Sequence, residues 1–340
     1  MRFRKEVLCE LPFCYAAGAV TVDGAVKLLF APDAPGPCYA VDPATGARET
    51  VWEGPGGTMS FVPLPDAEGD FLAVQRFFPD YEAADARIVR VRREAAAWRV
   101  EPWLALPYVH RFDILSRGGR RYLVCATLCE KKEDKEDWRF PGAVLAGELS
   151  DAARPPALEP VLEGLTKHHG YCRVARGGGD AALTASEEGV FELVPPDGPG
   201  GAWATRNVLP RPVSDIAVAD LDGDGVDELA AIEPFHGDTF AVYKSHGDGY
   251  RPIYRSEPEP FCHAIRGGRL RGEAVFVGGD RAGERELFVL RLRDGGLVRE
   301  VVEGGGGPSN VLVLPGEERD LLVAANRERG EGAVFFVTDD

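Results

Sequence analysis

The chain has 340 residues and carries 39 Lys and Arg against 55 Asp and Glu, a net charge of −16. A surface this acidic repels polyanions and anionic lipid, which argues against a nucleic-acid binder and a membrane-surface protein. Hydrophobic residues at 44% suffice for a sizeable core, while 41 Gly and 26 Pro demand frequent turns and disfavour a helical bundle.

Along the chain, residues 1–13 hold no apolar run of signal-peptide length. No stretch anywhere reaches the ~18 apolar residues of a spanning helix. The seven cysteines (Cys9, Cys14, Cys38, Cys125, Cys129, Cys172 and Cys262) form no Cys-x-x-Cys pair. An odd count without a leader predicts reduced thiols and a cytoplasmic protein.

Short segments of like character recur. Val51, Trp103, Val161, Val208, Ile253 and Val301 mark them, with gaps of 52, 58, 47, 45 and 48 residues. Between the marks lie apolar runs such as 71–74, 122–125, 229–232 and 321–324, bounded by Gly, Pro, Asp and Asn, the pattern of strands and turns. A period of this length with about four strands per unit is that of a β-propeller blade. The prediction is an all-β, seven-bladed β-propeller with four-stranded blades, one domain over 1–340. Its blades start near residues 12, 57, 107, 166, 211, 260 and 305. The last unit reaches only three strands by Asp340, so residues 2–8 are expected to supply its outer strand and close the ring. A pair of β-sandwiches is the rival, but it has no need of seven near-equal units.

His110, His169 and His263 each stand at the head of an inner-strand pattern. Their separations are 169 − 110 = 59, one blade, and 263 − 169 = 94, two blades. Met59, Ser214 and Ser309 hold the equivalent place in other blades, and blade one is ambiguous near Cys14 and Tyr15. First strands line a propeller's channel, so the three imidazoles are expected to meet there and hold a divalent transition metal, Zn, Mn or Fe. The loops between second and third strands open on the same face. They place His236, Glu233, Gln75, Arg76, Trp138, Arg281 and Asn326 near the mouth, a lining suited to a polyhydroxylated or carboxylated small molecule.

Residues 220–228 form Asp220-x-Asp222-x-Asp224-Gly225-x-x-Glu228. These carboxylates, with the carbonyl of Val226, are expected to converge on calcium; the flanking strands reject an EF-hand. Here the sequence resembles the FG-GAP (VCBS-type) repeat of integrin-like propellers, which implies a propeller and a structural calcium loop on the face away from the histidines. The architecture and the histidine register also resemble propeller sugar lyases of the aldos-2-ulose dehydratase and oligogalacturonate lyase types.

The leading expectation is a metal-dependent lyase, dehydratase or isomerase acting on a carbohydrate in the channel. His110, His169 and His263 would hold the metal. His236, Glu233 or Tyr171 would serve as base, and Arg111 or Arg281 would steady the developing charge. Gln75, Arg76, Trp138 and Asn326 would bind substrate. The alternative is a non-catalytic propeller that binds a glycan or a protein through its top face. A histidine-iron oxygenase would need a fourth ring histidine, which the register does not reveal. No nucleic-acid or membrane partner is expected, and the sequence leaves the oligomeric state open.

Overall fold

A computed structural model of the chain describes residues 1–78, 82–95, 97–247 and 249–339. Among these residues lie 28 strands, β1 to β28 in chain order, and no α-helix. No helix is therefore long and apolar enough to cross a membrane. Second strands such as Phe71–Gln75 and Glu228–Glu233 are buried along their whole length, which explains their unbroken apolar runs. Outer strands such as Ala97–Ala105 and Gly249–Arg255 alternate in exposure.

The strands group in fours by antiparallel pairing. Five groups are separate sheets. The remaining eight strands form one sheet, whose halves are paired only through the bridge of Arg117 to Gly179. The first strands of the seven groups are β2 (Cys14–Val22), β6 (Phe61–Pro63), β10 (Val109–Arg117), β14 (Gly170–Arg176), β18 (Asp215–Ala219), β22 (Cys262–Leu270) and β26 (Pro308–Leu314). Each begins two to four residues inside the start read from the sequence. Each contacts the first strand of the next group, and β26 contacts β2, so the innermost strands form a closed ring. The N-terminal strand β1 (Arg2–Glu10) pairs with β28 (Glu331–Thr338) from Arg2↔Thr338 to Glu10↔Glu331. The two ends of the chain thus share one sheet, and β28 is left with no open edge. Between the first two blades, the aromatic sequence Trp52, Phe61, Phe71, Trp98 packs at 5.8–6.3 Å between ring centres.

One local irregularity repeats and sets the site. At the head of β2, β10, β22 and β26 the pairing register skips Tyr15, His110, His263 and Ser309. At β14 and β18 the same bulge takes another form. His169 N donates to Ala185 O, the partner of Gly170, and Ser214 N donates to Ile232 O, the partner of Asp215. A β-bulge re-aims the extra side chain. Two residues earlier the backbone turns left-handed, at Phe13 (φ 57°), Tyr108 (57°), Lys167 (51°) and Phe261 (61°). Gly57 and Gly307 take that turn in blades two and seven, where a positive φ carries no Cβ strain.

Candidate functional site

The bulges at Tyr15, His110, His169 and His263 deliver their side chains to one chamber of about 240 Å³ in the ring. His110, His169 and His263 line it, and so does His236, which arrives on the loop after Glu228–Glu233. The ring centre of His169 lies 4.4 Å from His110, 4.9 Å from His236 and 5.5 Å from His263. His236 lies 5.1 Å from His263. One nitrogen from each of His169, His236 and His263 falls within 4.8 Å of the other two. The fourth imidazole that the register does not reveal is therefore His236. It stands within that cluster, while His110 flanks it against His169.

Hydrogen bonds orient the rings. His169 Nδ1 donates to Ser214 O (3.3 Å) and His263 Nδ1 to Ser309 O (2.9 Å), in each case the ring-equivalent residue of the next blade. A donating Nδ1–H leaves Nε2 with its lone pair. Ser214 Oγ also accepts from His236 N (3.0 Å), so one serine positions two of the four. His169 Nε2, His236 Nε2 and His110 Nδ1 are buried without a hydrogen-bond partner among the described residues. His263 Nε2 meets the Tyr15 hydroxyl at 3.3 Å.

Burial pushes all four imidazoles below their ordinary range, His236 down to about 3. Neighbouring histidines and the guanidiniums of Arg111 and Arg281 add to the effect. Three imidazole nitrogens within 4.8 Å of one another, two of the rings held from behind by backbone carbonyls and His110 beside them, are a donor set that could hold a transition metal. The residues present fit that group. Buried polar nitrogens without partners are otherwise costly.

Other sequence-derived candidates fall in different places. Arg281 lines the chamber. Arg111 sits behind it, donating to Met59 O (2.9 Å) beside Asp215 (3.7 Å), whose acid burial pushes up to about 6. Glu233 is not in the chamber lining. Its buried carboxylate accepts from the Tyr243 hydroxyl and pairs with Arg255 (3.1 Å) and Arg211 (3.6 Å). Tyr171 packs between blades three and four, its hydroxyl buried without a partner. Gln75 is buried at the end of its strand, and Arg76 lines a separate groove with the segment 132–135. Trp138 has Lys132 3.4 Å above its ring and packs edge-on to Phe235, which stacks on His236 at 4.1 Å. It thereby ties the charged segment 130–139 to the histidines. Asn326 is fully buried and donates to Glu331 (2.8 Å).

Sequence reasoning missed Asp33 and Phe261, left Tyr15 ambiguous, and put Phe77 and Arg327 on loops of the histidine face without giving them a role. All five line the chamber. The one signal available reaches only Phe261: four of the seven ring positions have an aromatic or basic residue two places earlier, at 13, 108, 167 and 261.

In the acidic loop, the carboxylates of Asp220, Asp222 and Asp224 lie within 4.8 Å of one another. Backbone amides of Gly223 and Gly225 occupy both oxygens of Asp220, and Leu221 N occupies one of Glu228. The oxygens left over on Asp222, Asp224 (2.8 Å) and Glu228 (3.0 Å) all receive the ammonium of Lys244. A calcium ion at this loop would have to displace this built-in cation, and Val226 is exposed at its edge. Lys244→Met is expected to raise calcium affinity at least roughly tenfold. Millimolar calcium should then raise its melting temperature by roughly 3 °C, with little change in the wild type. Equal calcium responses in a thermal-shift titration would contradict this role for Lys244.

Residues 213–244 match the FG-GAP repeat family. The chain carries an FG-GAP repeat on a β-propeller. The matched segment spans the acidic loop, its two flanking strands and Lys244. No curated protein sequence matches the propeller. Solved structures do. A chain of the mitotic checkpoint complex aligns over 99% of this chain and 94% of its own, with TM-score 0.63 and 10% identity. The extracellular domain of a candidate hybrid two-component system from B. thetaiotaomicron aligns over 100% and 40%, with TM-score 0.62 and 9% identity. A candidate gluconolactonase aligns over 98% and 92%, with TM-score 0.50 and 13% identity. At such identities the likeness is one of fold.

Proposed function

We propose that the propeller is a metal-dependent lyase, dehydratase or isomerase that acts on a sugar or keto-sugar in the histidine chamber. The observation that carries this reading is the convergence of four buried, neutral imidazoles with three unpartnered nitrogens. His169, His236 and His263 would hold the ion, with His110 as a fourth ligand. When bound, it supplies Lewis acidity to a carbonyl or hydroxyl oxygen. A chamber of about 240 Å³ suits a small molecule, and the neighbour named as a gluconolactonase is in keeping with sugar chemistry.

The chain's own groups supply the proton transfers. Asp33 lines the chamber with one carboxylate oxygen buried and unpartnered, and burial raises its basicity against the opposing bond from Arg327. It replaces Glu233 and Tyr171 as the base. Tyr15, whose phenol burial keeps protonated, faces the same space and is the acid. In an elimination, Asp33 takes the proton as the C–H bond breaks. The electron pair forms the new double bond, and the departing oxygen takes the proton of Tyr15.

The experiment is a turnover assay over neutral and acidic sugars, with loss of water read by mass spectrometry. It is run after chelation and after return of Zn, Mn or Fe. Turnover is expected only with metal, and Asp33→Asn and Tyr15→Phe should each lower kcat roughly 100-fold. Turnover untouched by chelation would overturn the reading. Absence of turnover under every condition would favour the non-catalytic binding propeller.

A further inference from the structure

On a surface of net charge −16, the lining of the histidine chamber inverts the sign: Arg281, Arg327 and Lys135 against Asp33 alone. The two arginines come from corresponding loops of neighbouring blades, just after Glu273–Asp280 and Asp320–Asn326. Their guanidiniums are bound to one carboxylate. Arg281 donates to Glu328 Oε1 through Nε (2.9 Å) and Nη2 (2.6 Å), and Arg327 donates to the same oxygen through Nη1 (3.2 Å). Aromatic rings support both, Phe261 at 4.7 Å from Arg281 and Phe13 at 5.1 Å from Arg327. Arg327 Nε is spent on Asp33 (2.6 Å). Among the described residues, Arg281 Nη1 and Arg327 Nη2 make no hydrogen bond.

We infer that Arg281 and Arg327 form an anion grip and that the substrate of the chamber is an anionic polyol, a sugar acid or a sugar phosphate. Two guanidiniums fixed side by side by one glutamate have lost their rotamer freedom before the ligand arrives, and each keeps an N–H to offer. Planar donors of this kind match carboxylate and phosphate oxygens. The inference rests on the chamber being the substrate site, and it sharpens the substrate class.

The test is calorimetric titration of the full chain in chelator with D-glucose, D-gluconate and D-glucose 6-phosphate. At least one anion is expected to bind ten times or more tighter than glucose, with affinity falling as salt rises. The stronger of the two arms tells carboxylate from phosphate. Arg281→Gln and Arg327→Gln should each cut that preference at least roughly tenfold. Equal binding of glucose and both anions by the wild type, at low and high salt, would overturn the grip without relying on any variant. Metal content measured on the same preparations keeps the two ideas apart. Bound metal without anion preference defeats only the grip, whereas anion preference without metal defeats only the metal reading.

Discussion

Between pH 7 and pH 5 the metal-free propeller is expected to lose unfolding free energy. Five histidines drive the loss: the four of the chamber and His168, which burial pushes down to about 4. Each has a folded pKa below its unfolded value near 6.5, so below that pH the unfolded chain binds more protons. The stability these groups contribute is whole above pH 6.5 and drains as pH falls, by about 1.4 kcal/mol per pH unit for each group that stays neutral in the folded chain. Two buried acids work the other way. Asp215 and Asp280 have folded values pushed up to about 6 and about 7, so the folded state takes their protons first and recovers roughly 4 kcal/mol. Asp33 and Asp113, also raised by burial, act in the same sense as those acids. Urea unfolding in chelator at pH 7, 6 and 5 measures the slope. A stability that is flat or rises toward pH 5 would mean that the imidazoles are not held neutral.

His169→Ala is expected to reduce transition-metal affinity roughly 100-fold or more, the largest effect of any single change. His169 is the hub: its ring is within 5.5 Å of each of the other three. Its loss leaves only His236 and His263 of the three clustered nitrogens. The metal-free variant should melt no lower than the wild type, because the change removes a buried nitrogen that lacks a partner. His168→Ala provides the contrast. His168 bonds Thr127 O (3.0 Å) and the Thr184 hydroxyl in the core, so its replacement should lower stability and spare metal binding. Equal metal retention in the two variants would remove His169 from the site.

Much of the architecture was legible because a blade is short and repeats. Buried second strands carry unbroken apolar runs, and seven such units spell the ring. The same period brought out His110, His169 and His263. Tyr15 stayed ambiguous because no histidine marks the ring position of its blade, although its bulge is the one that also carries His110 and His263. His236 was legible as a residue near the mouth but not as a ring partner, since it reaches the chamber from a loop, at φ 45°. Glu233 illustrates the opposite error. It ends its strand three residues before His236, yet its side chain turns away to Tyr243, Arg211 and Arg255 on neighbouring strands and loops. Asp33 and Arg327 lie 294 residues apart and carry no shared motif, so only the closed ring makes them a pair. Lys244 likewise belongs to no part of the aspartate spacing. It reaches the loop from the third strand of its blade, alongside Glu228 of the second.

The most direct measurement is X-ray absorption at the metal edge of the full-length protein loaded with Zn, Mn or Fe. A first shell with three or four imidazole nitrogens, lost in His169→Ala, is the expected spectrum. A shell of oxygens alone, or one unchanged by that substitution, would show that the four bulge and loop histidines do not share an ion.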